Sequence, residues 1–419
     1  MDTTVIPFRG LRYNPKKVGN IVDVIAPPYD VIKPDEQREL EQRHPANIIR
    51  LILSQPNKND NDKDNQYTRA AQLLNQWIDD SILVRDSEPT YYIYDQSFHA
   101  PDGRDYSRRA LIANVKLEPF ENRVIFPHEK THAGPKIDRL NLMRTCHANL
   151  SPIFLLYQDS DGEIEEIMHL FTQENMPDVD CPEVFGSTHR IWTLKHLQSN
   201  EKIKSLFKTK PLLIADGHHR YETALTFRQE MEQKGLGTDF NGYDYMMMNL
   251  VRMESSGLAV LAIHRLLSNL SAVQIENAMK YIYEDFDVHQ MDNLSSLMVK
   301  LEELKGKSSV FGLYTSDKKY KLLIPTDNTE RLDVSIVQDT IINGLFKIEN
   351  LAEHISYTAY TEDAINHVNE SSGRVAILMN PTPVEQVLDV AMAGSIMPQK
   401  STYFYPKMAT GLILNLLNQ

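Results

Sequence analysis

The chain has 419 residues, of which 42% are hydrophobic and 24% charged, and its formal net charge at pH 7 is −13. That length favours two domains, and the composition is that of a globular protein. The acidic surplus would repel phosphate backbones, so duplex DNA, and nucleic acid generally, is disfavoured as the main partner.

The opening, MDTTVIPFRG, lacks a basic region followed by an apolar run, and no signal peptide is expected. Residues 1–56 read as short strands and loops, with a helix from about Lys33 to Arg43. The polar run NKNDNDKDN reads as an exposed loop, and QYTRAAQLLNQWIDD carries apolar residues at helical spacing. TYYIYDQSF and RRALIANVKL flank PDGRD and predict a hairpin. SPIFLLYQ and IWTLKH read as strands, and DGEIEEIMHLFTQEN as a helix with an acidic start. PLLIAD predicts a strand running straight into a helix, GHHRYETALTFRQEMEQKG, with Gly235 as its cap. YDYMMMNLV and GLAVLAIHRLL read as core strands, and His264 with Arg265 interrupts the latter too early for a membrane span. From about Leu266 helices and strands alternate as a smaller α+β unit. Cys146 and Cys181 make no disulfide framework and point to a reducing, cytoplasmic setting.

The most informative stretch is IADGHHRYETAL. A helix start leaves free N–H groups and a positive dipole end, which suit an anion. Gly217 lets the backbone approach a ligand, and His218, His219 and Arg220 add donors on the first turn. Asp216, at the carboxyl end of the strand, is the candidate for Mg²⁺ or for orienting a hydroxyl. Its alternative role is an N-cap. In APPYDVI the diproline fixes an extended approach, so Asp30 is either a rigidly held base or a structural cap. In MPQKSTYFYPK, Lys400 is the candidate charge for phosphate, against the ordinary alternative of a solvated lysine.

The segment VIFPHEKTHAGPKIDRL contains an H-E-x-x-H match, His128 to His132. A zinc peptidase needs both histidines on one face of a sustained helix. Gly134-Pro135 is expected to end any helix just past His132, so no zinc is expected and the segment reads as a constrained loop. His128, Glu129, Asp138 and Arg139 would then feed the same site as Asp216, with His128 or Glu129 available for acid–base work. A Glu129–Arg139 pair merely holding the loop is the structural alternative.

IADGHHRYETA is similar to the D-G-x-x-R-x-x-A signature of the ParB/sulfiredoxin superfamily, which includes nucleotide-binding partitioning proteins, sulfiredoxins and free-serine kinases. The segments APPYDVI (26–32), PHEKT (127–131), PKIDRL (135–140), NLSPIF (149–154), IADGHHRYE (214–222) and MPQKSTYFYPK (397–407) occur in this order. Together they resemble the bacterial domain-of-unknown-function 1015 family over nearly the full chain. The superfamily resemblance implies that Asp216, Gly217, His219 and Arg220 contact nucleotide phosphates or metal. His218 stands where the sulfiredoxin branch needs cysteine, and no helix-turn-helix follows as in the partitioning branch. The kinase branch remains, and there Asp30 is the counterpart of an N-terminal acidic base.

The expected architecture is mixed α/β (α+β). It comprises a ParB/sulfiredoxin-like core with insertions over residues 1–265 and a smaller α+β domain over 266–419, whose tail packs back on the first. The expected function is a nucleotide-dependent phosphotransferase, kinase-like, using Mg²⁺ with ATP, ADP or CTP and a small hydroxylated substrate. A nucleotide-binding regulatory module without efficient catalysis is the alternative, and a homo-oligomer is left open.

Overall fold

The computed structural model describes residues 2–129, 131, 133–235, 242–327, 331–398 and 400–417. The chain is mixed α/β and forms two compact units. The first comprises Met1–Pro127, Thr131–Ala259 and Pro406–Gln419, and the second His128–Lys130 and Val260–Tyr405.

The first unit is built on a mixed nine-stranded sheet. Its path runs Ile125–Phe126, Leu212–Asp216, Ile153–Tyr157, Tyr245–Arg252, Asp105–Lys116, Tyr91–His99, Ser187–Leu194 and Val179–Val184, with Val5–Ile6 beside Asp105–Lys116. Leu212–Asp216 runs parallel to Ile125–Phe126 and antiparallel to Ile153–Tyr157, which in turn runs parallel to Tyr245–Arg252. All five residues of Ile153–Tyr157 are buried, as expected of a strand covered on both faces. Tyr221, Ala224, Phe227 and Met231 of helix His218–Gln233 pack into the core of this sheet, with Ile164, Met168, Ile203 and Phe207 from two further helices. A second cluster gathers Ala70, Leu74 and Trp77 of helix Gln66–Asp79 with Leu142 and Cys146. Asn65 and Thr68 fix the start of helix Gln66–Asp79 by capping each other's backbone N–H.

Helix Ala133–Cys146 corrects the sequence reading of this region as a loop. Gly134 and Pro135 lie in its first turn rather than at its end. The N–H that proline lacks is one that a helix start leaves unpaired in any case. The helix packs against His218–Gln233 and Gln66–Asp79.

The second unit holds a six-stranded antiparallel sheet in the order Phe286–Met291, Tyr320–Pro325, Phe311–Thr315, Val375–Met379, His264–Leu267, Ile355–Thr358. Leu297 and Leu301 of one helix and Ala364 and Val368 of another pack on it. Among the described residues no helix is long and apolar enough to cross a membrane. Cys146 and Cys181 are buried free thiols.

Candidate functional site

Four buried residues of strand Leu212–Asp216 anchor it in the sheet, and the strand emerges at Asp216. Gly217 follows with φ +102°, a left-handed conformation that side chains resist, and helix His218–Gln233 begins at once. Tyr221 locks this start: its hydroxyl donates to the Glu118 carbonyl at 2.7 Å. His218 and Arg220 are buried and His219 is half-buried.

Asp216 is a nearly buried carboxylate between two cations. Lys407 Nζ donates to its Oδ1, and Arg220 Nη2 to its Oδ2. Arg220 Nη1 also donates to the Pro152 carbonyl. Burial alone would raise the pKa of Asp216, but the charges of Lys407 and Arg220, with a further contribution from His218, hold it well below the usual carboxylate range. Two cations and the positive end of a 16-residue helix thus face one carboxylate.

The APPYD segment reaches the same place. Tyr29, on the turn Tyr29–Val31, lines a cavity of about 40 Å³ together with Arg139, Asn149, Ser151, Arg220 and Thr223. By that measure the cavity holds roughly three waters. The Arg139 guanidinium stacks on the Tyr29 ring at 4.1 Å from its centroid. Burial raises the Tyr29 pKa, the charges of Arg220 and Arg139 oppose this, and Asp30 and Asp138 add to it. Arg139 donates to Asp138 and, at 2.7 Å, to the Ile52 carbonyl. Glu222 accepts from Lys136 at 2.7 Å and Thr131 at 2.8 Å, tying helix His218–Gln233 to the PKIDRL segment.

The structure therefore gathers Asp216, Gly217, His218, His219 and Arg220 with Tyr29 and Arg139, and puts Asp30 beside Tyr29, exposed. His128, Glu129 and Lys400 fall in the second unit. There His128 is fully buried, with Nε2 at 2.9 Å from Thr402 Oγ1, and its carbonyl accepts from the Met397 N–H at 2.9 Å. Lys400 is exposed, with φ +57°. His132, the second histidine of the H-E-x-x-H match, lies outside the described residues. The lysine beside Asp216 is Lys407, which sequence reasoning passed over. Its only signal was its place at the end of MPQKSTYFYPK, one of the segments that carry the family resemblance.

A conserved hypothetical protein from Pyrococcus furiosus is similar in structure over 71% of this chain and 93% of its own, with 14% identity and a TM-score of 0.35. A free serine kinase in complex with ADP is similar over 74% of this chain and 92% of its own, with 14% identity and a TM-score of 0.36. SbnI with a C-terminal truncation, from Staphylococcus aureus, is similar over 74% of this chain and 89% of its own, with 10% identity and a TM-score of 0.39. No curated protein matches the chain. Residues 5–337 match the family described as protein of unknown function (DUF1015), and the chain belongs to that family.

Proposed function

We propose that the first unit is a ParB/sulfiredoxin-like nucleotide-binding core, and that the protein is a kinase-like phosphotransferase of the cytoplasm. The observation that carries the reading is the pair of cations, Lys407 and Arg220, converging on Asp216 at the start of helix His218–Gln233. Phosphate oxygens suit such a place because N–H groups and fixed charges are already oriented towards an anion. In this reading Gly217, His218, His219 and Arg220 hold the phosphates of ATP, ADP or CTP, and Lys407 adds charge. The acceptor is a small hydroxylated molecule. Its oxygen bonds to the terminal phosphorus, and the bridging P–O bond breaks with its electron pair staying on the departing nucleotide. The acceptor proton passes to Asp30. Such transfer rests on positioning and charge neutralisation.

Mg²⁺ on Asp216 fits less well. Both of its oxygens are engaged by cations, and among the described residues no group of three or more His, Cys, Asp or Glu is placed to hold a metal. The donor set suits an anion, and no step is assigned to the metal.

The test is a thermal-shift and calorimetric screen of ATP, ADP, CTP and GTP with and without Mg²⁺, followed by phosphate transfer to hydroxylated amino acids and sugars. A shift that disappears in Arg220→Ala supports the cradle, and absence of all nucleotide binding defeats it. The small cavity beside Arg220 favours one second reading: a regulatory module that opens to bind. Binding without transfer to any acceptor would select it.

A further inference from the structure

A second cavity, of about 140 Å³, lies in the first unit on Arg139. We infer that it binds a small uncharged polyol of about glycerol's size. Its role as the phosphate acceptor's seat rests on the function proposed above, whereas the binding itself does not. The size fits: a cavity of roughly 150 Å³ accommodates a molecule of six heavy atoms such as benzene.

The lining decides the chemistry. Gln37, Ser54, Gln66, Tyr67, Asp138 and Arg139 provide the polar wall, and Leu51, Ile52 and Leu142 the apolar one. The two charges inside cancel, because Arg139 donates through Nε and Nη2 to the same Asp138 oxygen. The other Asp138 oxygen accepts from the Tyr67 hydroxyl at 2.9 Å and the Gln66 amide at 3.5 Å. A charged ligand would find no unspent counter-charge, and a purely apolar one would leave polar groups dry. Gln37 is 6% exposed. Its amide nitrogen is committed to the Leu53 carbonyl at 2.6 Å and to Glu41 at 3.1 Å, and its carbonyl oxygen has no hydrogen-bond partner among the described residues. Hydroxyl groups both donate and accept, and so satisfy amides and a carbonyl oxygen that faces the cavity at once. Arg139 and Leu142 also line the cavity of Arg220, so the polyol would sit one side chain away from the phosphate cradle.

Saturation-transfer NMR on the full chain, with glycerol and erythritol set against glycerate and serine, tests the site. Either polyol should bind the wild type. Ser54→Trp, which fills the cavity, should weaken binding at least about tenfold, while ADP affinity stays unchanged. If Ser54→Trp fails to fold, Tyr67→Phe carries the same readout. Three outcomes overturn the inference: neither polyol binds, the variant that folds binds as the wild type does, or glycerate or serine binds better than both polyols. Polyol binding without any ADP binding would leave this site standing and remove the cradle instead.

Discussion

Lys407 donates to Asp216 Oδ1 across 191 residues of sequence, and Arg220 occupies the other oxygen of the same carboxylate. The last described stretch of the first unit thus completes a site begun at a strand end in the middle of the chain. Lys407→Met keeps the length of the side chain and removes its charge. It should weaken ADP binding about tenfold or more, the loss of roughly one charge-assisted hydrogen bond. It should also lower stability by about 1–3 kcal/mol, since a nearly buried carboxylate loses one partner. Calorimetry and urea denaturation read the two effects separately, and ADP affinity equal to wild type removes Lys407 from the cradle.

The same carboxylate sets an acid limit. The pKa of Asp216 is lower folded than unfolded, so its contribution to stability is present above the ordinary carboxylate value of about 4 and is lost as pH falls from there through the folded value. Wild type should exceed Asp216→Asn in unfolding free energy by a constant margin from neutral pH down to about pH 4, and that margin should shrink below it. Urea titrations at several pH values check this, and a margin that grows on acidification contradicts the assignment.

Much of the fold is legible in the sequence, because strand and helix patterns are local. PLLIAD followed by a histidine-rich helix start became Leu212–Asp216 and His218–Gln233, and the hairpin about PDGRD became Tyr91–His99 and Asp105–Lys116. Helix Ala133–Cys146 was not legible. It packs between two other helices, burying Leu142, Met143 and Cys146 while exposing Ile137, and this leaves no clean apolar stripe. The strand end and helix start at DGHHR could be read from residue types and from the apolar run before them. The partner of Asp216 could not, because a pairing made by tertiary folding leaves no spacing to detect. Lys400, next to Ser401 and Thr402, had the more suggestive neighbours and is exposed.

Gly217→Ala tests the backbone. At φ +102° a side chain is strained, and an added Cβ would meet the Arg220 guanidinium at 3.1 Å. The substitution should cost about 1–3 kcal/mol of stability. It should also weaken ADP binding, because Arg220 must shift. Denaturation and calorimetry together check both, and wild-type behaviour in each would mean that this turn adapts freely.

His189 lies in the same sheet, 1% exposed, with Nδ1 at 2.7 Å from the Tyr94 hydroxyl. Burial pushes its pKa down from 6.5 to about 4, against the pull of a hydrogen bond to Val184 and with the help of the Arg108 charge. The folded state releases this proton, so the contribution is complete above about pH 6.5 and is lost as pH falls towards 4, by at most on the order of 3 kcal/mol. An NMR titration of the His189 ring should show a midpoint near 4, and a midpoint near 6.5 would mean that water reaches the ring.

Arg108 is the support behind Lys407. It is 1% exposed and stacks over the Phe154 ring at 4.9 Å from its centroid. Its Nη2 donates to the Gln96 side chain and, at 2.8 Å, to the Pro406 carbonyl. Burial lowers its pKa to about 10, so it stays charged at neutral pH. Gln96 extends the grip with a contact to the Lys407 carbonyl at 3.4 Å. Arg108→Met retains the apolar bulk but leaves the Pro406 carbonyl and the Gln96 oxygen without their donor. It should cost about 2–4 kcal/mol, and it should loosen the segment that carries Lys407. ADP affinity should therefore fall although Arg108 is not assigned to the ligand, and hydrogen exchange should rise at the Lys407 and Met408 amides. If stability drops while affinity and exchange there stay at wild-type levels, Arg108 serves the core alone, and Lys407 is held by Asp216 without it.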